Sequence, residues 1–141
     1  MDTTLFIIQL FCCFSLFGLI WTIQLVHYPA FLEIDPKSFS DFSETHSKSI
    51  SFFVAPLMIV ELITGALLLL SSPNAQFFTN FIGILILWSS TIFLSVPCHQ
   101  KLSKGKDIGT IKKLISTNWL RTIIWSLRTF LLLSILLEKV N

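Results

Sequence analysis

Residues 49–100 read SISFFVAPLMIVELITGALLLLSSPNAQFFTNFIGILILWSSTIFLSVPCHQ, and between Lys48 and Lys101 the only formal charge is Glu61. A bilayer core about 30 Å thick is crossed by about 20 apolar residues in a helix, so this stretch is too long for one crossing. It breaks at Ser71-Ser72-Pro73-Asn74, a cluster of turn-forming residues. The stretch therefore predicts two spans, about 49–70 and 77–95, with Pro97 closing the second.

The same reading extends outward. No charged residue lies between Asp2 and Glu33, which predicts a first span over about 5–28. A secretory signal would carry a basic residue ahead of an apolar run of about 7–15 residues. Here Asp2 precedes a longer run, so the segment reads as a span. A fourth span over about 118–137 contains Arg121 and Arg128. The expected fold class is all-α: an integral membrane four-helix bundle forming one domain over residues 1–141, with both termini on the same side.

Composition agrees. Of 141 residues, 53% are apolar and 13% charged, and phenylalanine alone occurs 14 times. Soluble domains carry roughly 25% charged residues, so disorder is excluded and the composition argues against a water-soluble globule. A net charge of +2 gives no reason to expect a nucleic-acid partner, and three cysteines make no disulfide framework. The loops 31–48 and 99–117 hold seven lysines, whereas beyond them the only lysine is Lys139. The positive-inside rule places those loops in the cytoplasm and both termini outside. Asp35-Pro36 looks like a helix cap and first turn, predicting an interfacial helix over about 36–47, and Pro56 predicts a kink. The segment around Lys104-Gly105-Lys106 reads as a solvated connector.

Polar groups inside spans are the functional signal, because a charge at mid-bilayer costs about 2.5–3.5 kcal/mol on insertion scales. Glu61 and Arg128 lie at similar depths, roughly 16 and 14 Å from the lysine-rich side, which predicts an ion pair. Trp88, Thr91, Ser95 and His99 share one helical face, as do Asn118, Arg121, Trp125 and Arg128. Trp21 and Gln24 make a further stripe that continues to His27 or Tyr28. All three histidines, His27, His46 and His99, fall at the lysine-rich end. Facing helices of a bundle can build metal sites, and imidazole suits iron, copper and zinc. The expected site is therefore a metal held by His27, His46 and His99, or a haem contacted by His27, His99, Trp88, Trp125 and Gln24. Acid–base work by the same histidines is a third reading. No HxxH, HExxH or CxxCH spacing occurs.

Ser95-Val96-Pro97-Cys98-His99-Gln100-Lys101-Leu102, followed after a charged loop by Trp125-Ser126-Leu127-Arg128-Thr129, resembles the anthrone oxygenase-like family of small four-helix membrane proteins. That family shows Val-Pro-x-Asn ahead of the third loop and Trp-x-x-Val-Arg-Thr in the last helix. His99 stands where the family has Asn, and Asn118-Trp119-Leu120-Arg121-Thr122 offers a second Trp-Arg-Thr-like copy. The resemblance implies a membrane enzyme that oxidises a lipophilic aromatic substrate with dioxygen.

The leading expectation is thus an oxidoreductase acting on a small lipophilic or quinone-like substrate, within a lipid bilayer. Arg121 and Arg128 would hold an anionic oxygen of the ligand, with Glu61 and Asn118 completing the catalytic set. Two other readings stand beside it. One is a small transporter or channel subunit using the Glu61–Arg128 pair. The other is a non-catalytic partner, as a homo-oligomer or within a larger membrane complex.

Overall fold

The computed structural model describes residues 2–140. Among them four helices carry the fold: α1 Thr3–Ala30, α2 Phe39–Ser71, α3 Ala75–Leu102 and α4 Ile108–Val140. Each is long and apolar enough to cross a membrane. At 1.5 Å per residue the 28-residue helices are about 42 Å long and the 33-residue helices about 50 Å. All four outreach the hydrocarbon core, so their ends stand in the interfacial layers. This is a multi-pass integral membrane protein.

The helices run up, down, up, down around a square. α1 packs against α2 and α4, and α3 packs against the same two, while neither diagonal pair approaches at backbone distance among the described residues. Both chain ends therefore lie at one end of the bundle, and the three histidines lie at the other. Phe6, Leu16, Leu87, Trp125 and Leu132 belong to one core that runs from the chain ends inward, and Phe31, Phe39, Leu102 and Ile111 seal the histidine end. Phe52, Phe93, Leu70 and Phe130 point outward and are largely exposed. That apolar exterior suits acyl chains and would be an aggregation surface in water.

Local chemistry sets most boundaries. Asp2 caps α1 by accepting from the N–H groups of Thr4 and Leu5 at 2.8 and 3.1 Å. Asn74 caps α3 through the Phe77 N–H, which is why the Ser-Ser-Pro-Asn cluster turns the chain. Asp107 caps α4 by accepting from the Thr110 N–H.

Two boundaries depart from expectation. The helices of spans one and three do not stop at Tyr28 and Ser95. Each widens into a π-helical turn, Ile23–His27 and Thr91–Ser95, and then continues through Pro29 and Pro97. The residue before each proline donates its N–H five residues back, Tyr28 to Ile23 and Val96 to Thr91. Proline has no N–H to give and its ring crowds the carbonyl four residues earlier. A wider turn relieves the crowding and lets the helix proceed. Pro56 lies inside an α2 that stays α-helical throughout. The helix expected over 36–47 is not a separate element either: α2 begins at Phe39 and runs unbroken into the membrane.

The connector around Gly105 is more than a linker. Gly105 adopts φ 144°, open to glycine and strained for other residues. That turn brings the Lys106 ammonium onto the carbonyls of Leu32 and Ile34, at 2.6 and 2.7 Å. The two lysine-rich loops are thereby tied together across the histidine end.

Candidate functional site

The two π turns decide which side chains meet. Each adds one residue to its turn, so the stripe on that face is shifted by one position from there on. On α1 this brings His27 and Tyr28 both into play, where a regular helix would turn one of them away. Tyr28 is buried and its hydroxyl lies 3.1 Å from His99 Nε2. His27 Nε2 lies 2.6 Å from His46 Nδ1. The other ring nitrogen of His99, Nδ1, meets the Ser47 hydroxyl at 3.3 Å. The three imidazoles converge, His46 having its ring centre 4.3 Å from His27 and 5.7 Å from His99. Among the described residues, however, no group of three His, Cys, Asp or Glu side chains is gathered so as to hold a metal ion.

Next to His99 is a cavity of about 230 Å³ between the helices. Met58, Val54, Ile50 and Ile23 make its walls apolar, and its polar points are Tyr28, His99, Ser95, Trp88 and Arg121. Ser51, Ala55 and Val96 also line it and are exposed. They place its mouth between α2 and α3, towards lipid. A second hollow of about 280 Å³, lined by Glu44, Ser47, Lys48 and Gln100, shares His99 and Ser51 with the first. His99 is thus common to an inner chamber and to an outer hollow beside the charged residues Glu44 and Lys48.

Arg121 is buried, with 6% of its surface exposed. Among the described residues no carboxylate lies within ion-pair distance of it. Its Nη1 donates to Ser95 Oγ and Asn118 Oδ1, both at 3.2 Å. Asn118 in turn donates to Gln24 Oε1 at 2.8 Å, and Gln24 donates to the Ile115 carbonyl. The indole of Trp125 lies beneath the guanidinium, 5.2 Å from ring centre to Cζ, a cation–π contact. Gln24, Asn118 and Trp125 therefore hold Arg121 in place and do not line the cavity. What remains free is telling: Arg121 Nε and Trp88 Nε1 are buried donors with no partner, and both residues line the cavity.

Glu61 and Arg128 form the expected ion pair, Oε1 to Nη1 at 2.6 Å, with both side chains buried. Arg128 Nε also donates to Asn80 Oδ1 at 3.1 Å. Neither residue lines the cavity. Gly83 makes the pair possible, since a Cβ there would come within 2.5 Å of Arg128 Cδ. Gln9 joins the cluster through Thr64, whose hydroxyl donates to it. Glu61 Oε2, Arg128 Nη2, Gln9 Nε2 and Asn80 Nδ2 are left without partners.

The residues singled out in the sequence thus fall into separate groups rather than one site. Trp88, His99 and Arg121 share the cavity, His27 and His46 pair beside it, and Glu61 with Arg128 stands apart. Tyr28 lines the cavity and meets His99, a position the sequence left open between it and His27. Gln9, Asn80 and Gly83 were missed; uncharged amides and glycine inside spans were the available sign. Comparison with protein-family models, with curated proteins and with solved structures finds no match to this chain.

Proposed function

We propose that the protein is a membrane-embedded oxidoreductase, oxygenase-like in its chemistry, acting on a small lipophilic molecule with a phenolic or quinone-like oxygen. One observation carries this reading: a buried arginine without a carboxylate partner, facing an apolar chamber that also holds a second unused donor. A buried cation is costly unless a ligand or partner compensates it. Two residues of its lining, Arg121 and Trp88, keep a buried donor without a partner, Nε and Nε1, so we read the chamber as suited to an acceptor oxygen, best an anionic one. A volume of about 230 Å³ lies below the roughly 300–1,000 Å³ of drug-sized ligand pockets and suits only a compact ring system. The mouth between α2 and α3 fits a substrate that arrives through the bilayer.

In this reading the Tyr28–His99 pair accepts the proton of the substrate hydroxyl, and Arg121 holds the resulting oxyanion. Deprotonation makes the ring richer in electrons and so easier to oxidise, with dioxygen as the oxidant that the family resemblance suggests. The positive-inside rule puts the histidine end in the cytoplasm and both termini outside.

The test is quenching of tryptophan fluorescence by a naphthol or naphthohydroquinone, titrated into the purified protein in detergent. Arg121→Met should weaken binding at least tenfold, and His99→Gln should abolish substrate-dependent oxygen uptake while leaving binding in place. Equal binding by the wild type and Arg121→Met sinks the proposal.

A second reading is favoured by the unpartnered polar atoms around Glu61 and Arg128. Such a cluster near mid-membrane suits a step in proton or anion movement. Flux into proteoliposomes that requires Glu61, and is indifferent to Arg121, would select it.

A further inference from the structure

Four residues line both the inner chamber and the outer hollow: Ile50, Ser51, Val96 and His99. Of these only His99 carries a group suited to shuttling protons. Its two ring nitrogens are divided between the two spaces. Nε2 lies 3.1 Å from the hydroxyl of Tyr28, which lines the chamber and not the hollow. Nδ1 lies 3.3 Å from the hydroxyl of Ser47, which lines the hollow and not the chamber. We propose that Tyr28, His99 and Ser47 form a proton wire from the chamber to the lysine-rich end of the bundle, with Ser47 as its outer terminal.

The wire rests on the reading that Arg121 holds a ligand oxyanion, and it supplies the exit for the proton that such a ligand gives up. The mouth of the chamber faces lipid, where a bare charge is not tolerated. Arg121 already carries its proton and the Trp88 indole only donates, so neither takes another. Exposure rises along the proposed route: Tyr28 is buried, His99 and Ser47 are half-buried, and Glu44 and Lys48 beside them are exposed. Glu44 lies one turn before Ser47 on α2, lines the same hollow and pairs with Lys48 at 2.6 Å. The remaining titratable neighbour is His46, whose ring centre lies 5.7 Å from that of His99. Its Nδ1 is engaged by His27, and it lines neither space.

The transfers balance. At rest His99 carries its proton on Nδ1, directed at Ser47, while Tyr28 donates to Nε2. A ligand hydroxyl gives its proton to the Tyr28 oxygen as Tyr28 gives its own to Nε2. Nδ1 then releases a proton to Ser47, whose hydroxyl passes one on to water in the hollow. The ligand is left as an anion against Arg121, and one proton has left the protein. The ring now carries its proton on Nε2. On release one proton enters at Nδ1 while Nε2 gives one, through Tyr28, to the departing anion. That return restores the first tautomer, so each cycle of binding and release resets the wire.

The test uses the full chain in detergent, saturated with 1-naphthol under argon, just above the pH at which the bound ligand takes up a proton. A caged acid releases protons in a light pulse, and the absorbance of the naphtholate reports their arrival in the chamber. Arrival should slow at least tenfold in Ser47→Ala, with naphthol affinity within twofold of the wild type. Ser47→Thr keeps the hydroxyl and should keep the wild-type rate. Imidazole added to Ser47→Ala should restore it by carrying protons into the hollow. Equal arrival in the wild type and Ser47→Ala overturns the wire. A delay shared by Ser47→Thr, or unrelieved by imidazole, marks a merely structural effect and overturns it too. So does a delay in His46→Gln with none in Ser47→Ala, which assigns the route to the histidine pair. Failure of the oxyanion reading looks different: naphthol then binds as the neutral molecule or not at all, the wild type shows no anion absorbance, and the wire falls with it.

Discussion

Arg121 and Arg128 lie two turns apart on the buried face of one helix, about 10 Å along its axis, and live under opposite conditions. Arg128 meets a carboxylate at 2.6 Å and an amide oxygen at 3.1 Å, in a groove kept open by Gly83. Arg121 meets neutral groups, Ser95, Asn118, Tyr28 and the Trp125 ring, and faces a chamber. The contrast teaches that a charge in a membrane is informative through its partner rather than its presence. Arg128 is compensated from within and holds helices together. Arg121 has no carboxylate partner among the described residues, and the proposed binding role rests on that.

The comparison breaks most directly at its compensated side. Arg128→Met leaves Glu61 buried and alone, which should lower stability by about 3–5 kcal/mol, read as the thermal midpoint in detergent. Replacing Glu61 and Arg128 together by Met should restore much of that loss. If Arg128→Met proves no worse than Arg121→Met, the two arginines are not different in kind. Next in size, Gly83→Ala sets a methyl against the Arg128 side chain and should cost about 1–3 kcal/mol. Gly18→Ala, where nothing lies within 4 Å, should cost nothing in the same melts and stabilise by up to about 1 kcal/mol.

Arg121→Met sharpens the other side. An apolar side chain of similar length should leave the midpoint within about 1 kcal/mol of the wild type, while affinity for a naphtholate falls at least tenfold. The smallest effect lies outside the membrane, at the α4 cap. The Asp107 carboxyl is held down to about 2 by the Thr110 N–H it accepts from, then by the Thr110 hydroxyl and Lys101. A lowered carboxyl contributes its stability in full above its ordinary 3.8 and loses it as pH falls through about 2. Asp107→Asn keeps a capping oxygen, so melts at neutral pH should hardly change, while the acid sensitivity between about pH 4 and 2 flattens.

Legibility followed the range of the interaction. Helix number and order were readable because the bilayer imposes one length on every apolar run. The Glu61–Arg128 pair was readable because depth is counted along the chain and only one carboxylate lay at that depth. Pro97 was expected to close the third helix because proline usually stops one. Whether it stops one or forces a π turn depends on packing beyond the proline, here Phe31 and Leu102 in the core of the histidine end. The three histidines were gathered as a set, but their division into His27–His46 and Tyr28–His99–Ser47 turns on rotations of a few tens of degrees. No residue count contains those.

By itself the sequence determined a four-span membrane bundle, its up-and-down order, and the gathering of histidines and lysines at one end. Hydrophobic length and the spacing of charges act locally and are written in order along the chain. The tertiary structure alone decided that Arg121 faces a chamber while Arg128 is neutralised, and that His27 turns to His46 while His99 turns to Tyr28. Those outcomes depend on helix rotation and on two wide turns, which arise only when four helices compete for the same interior space.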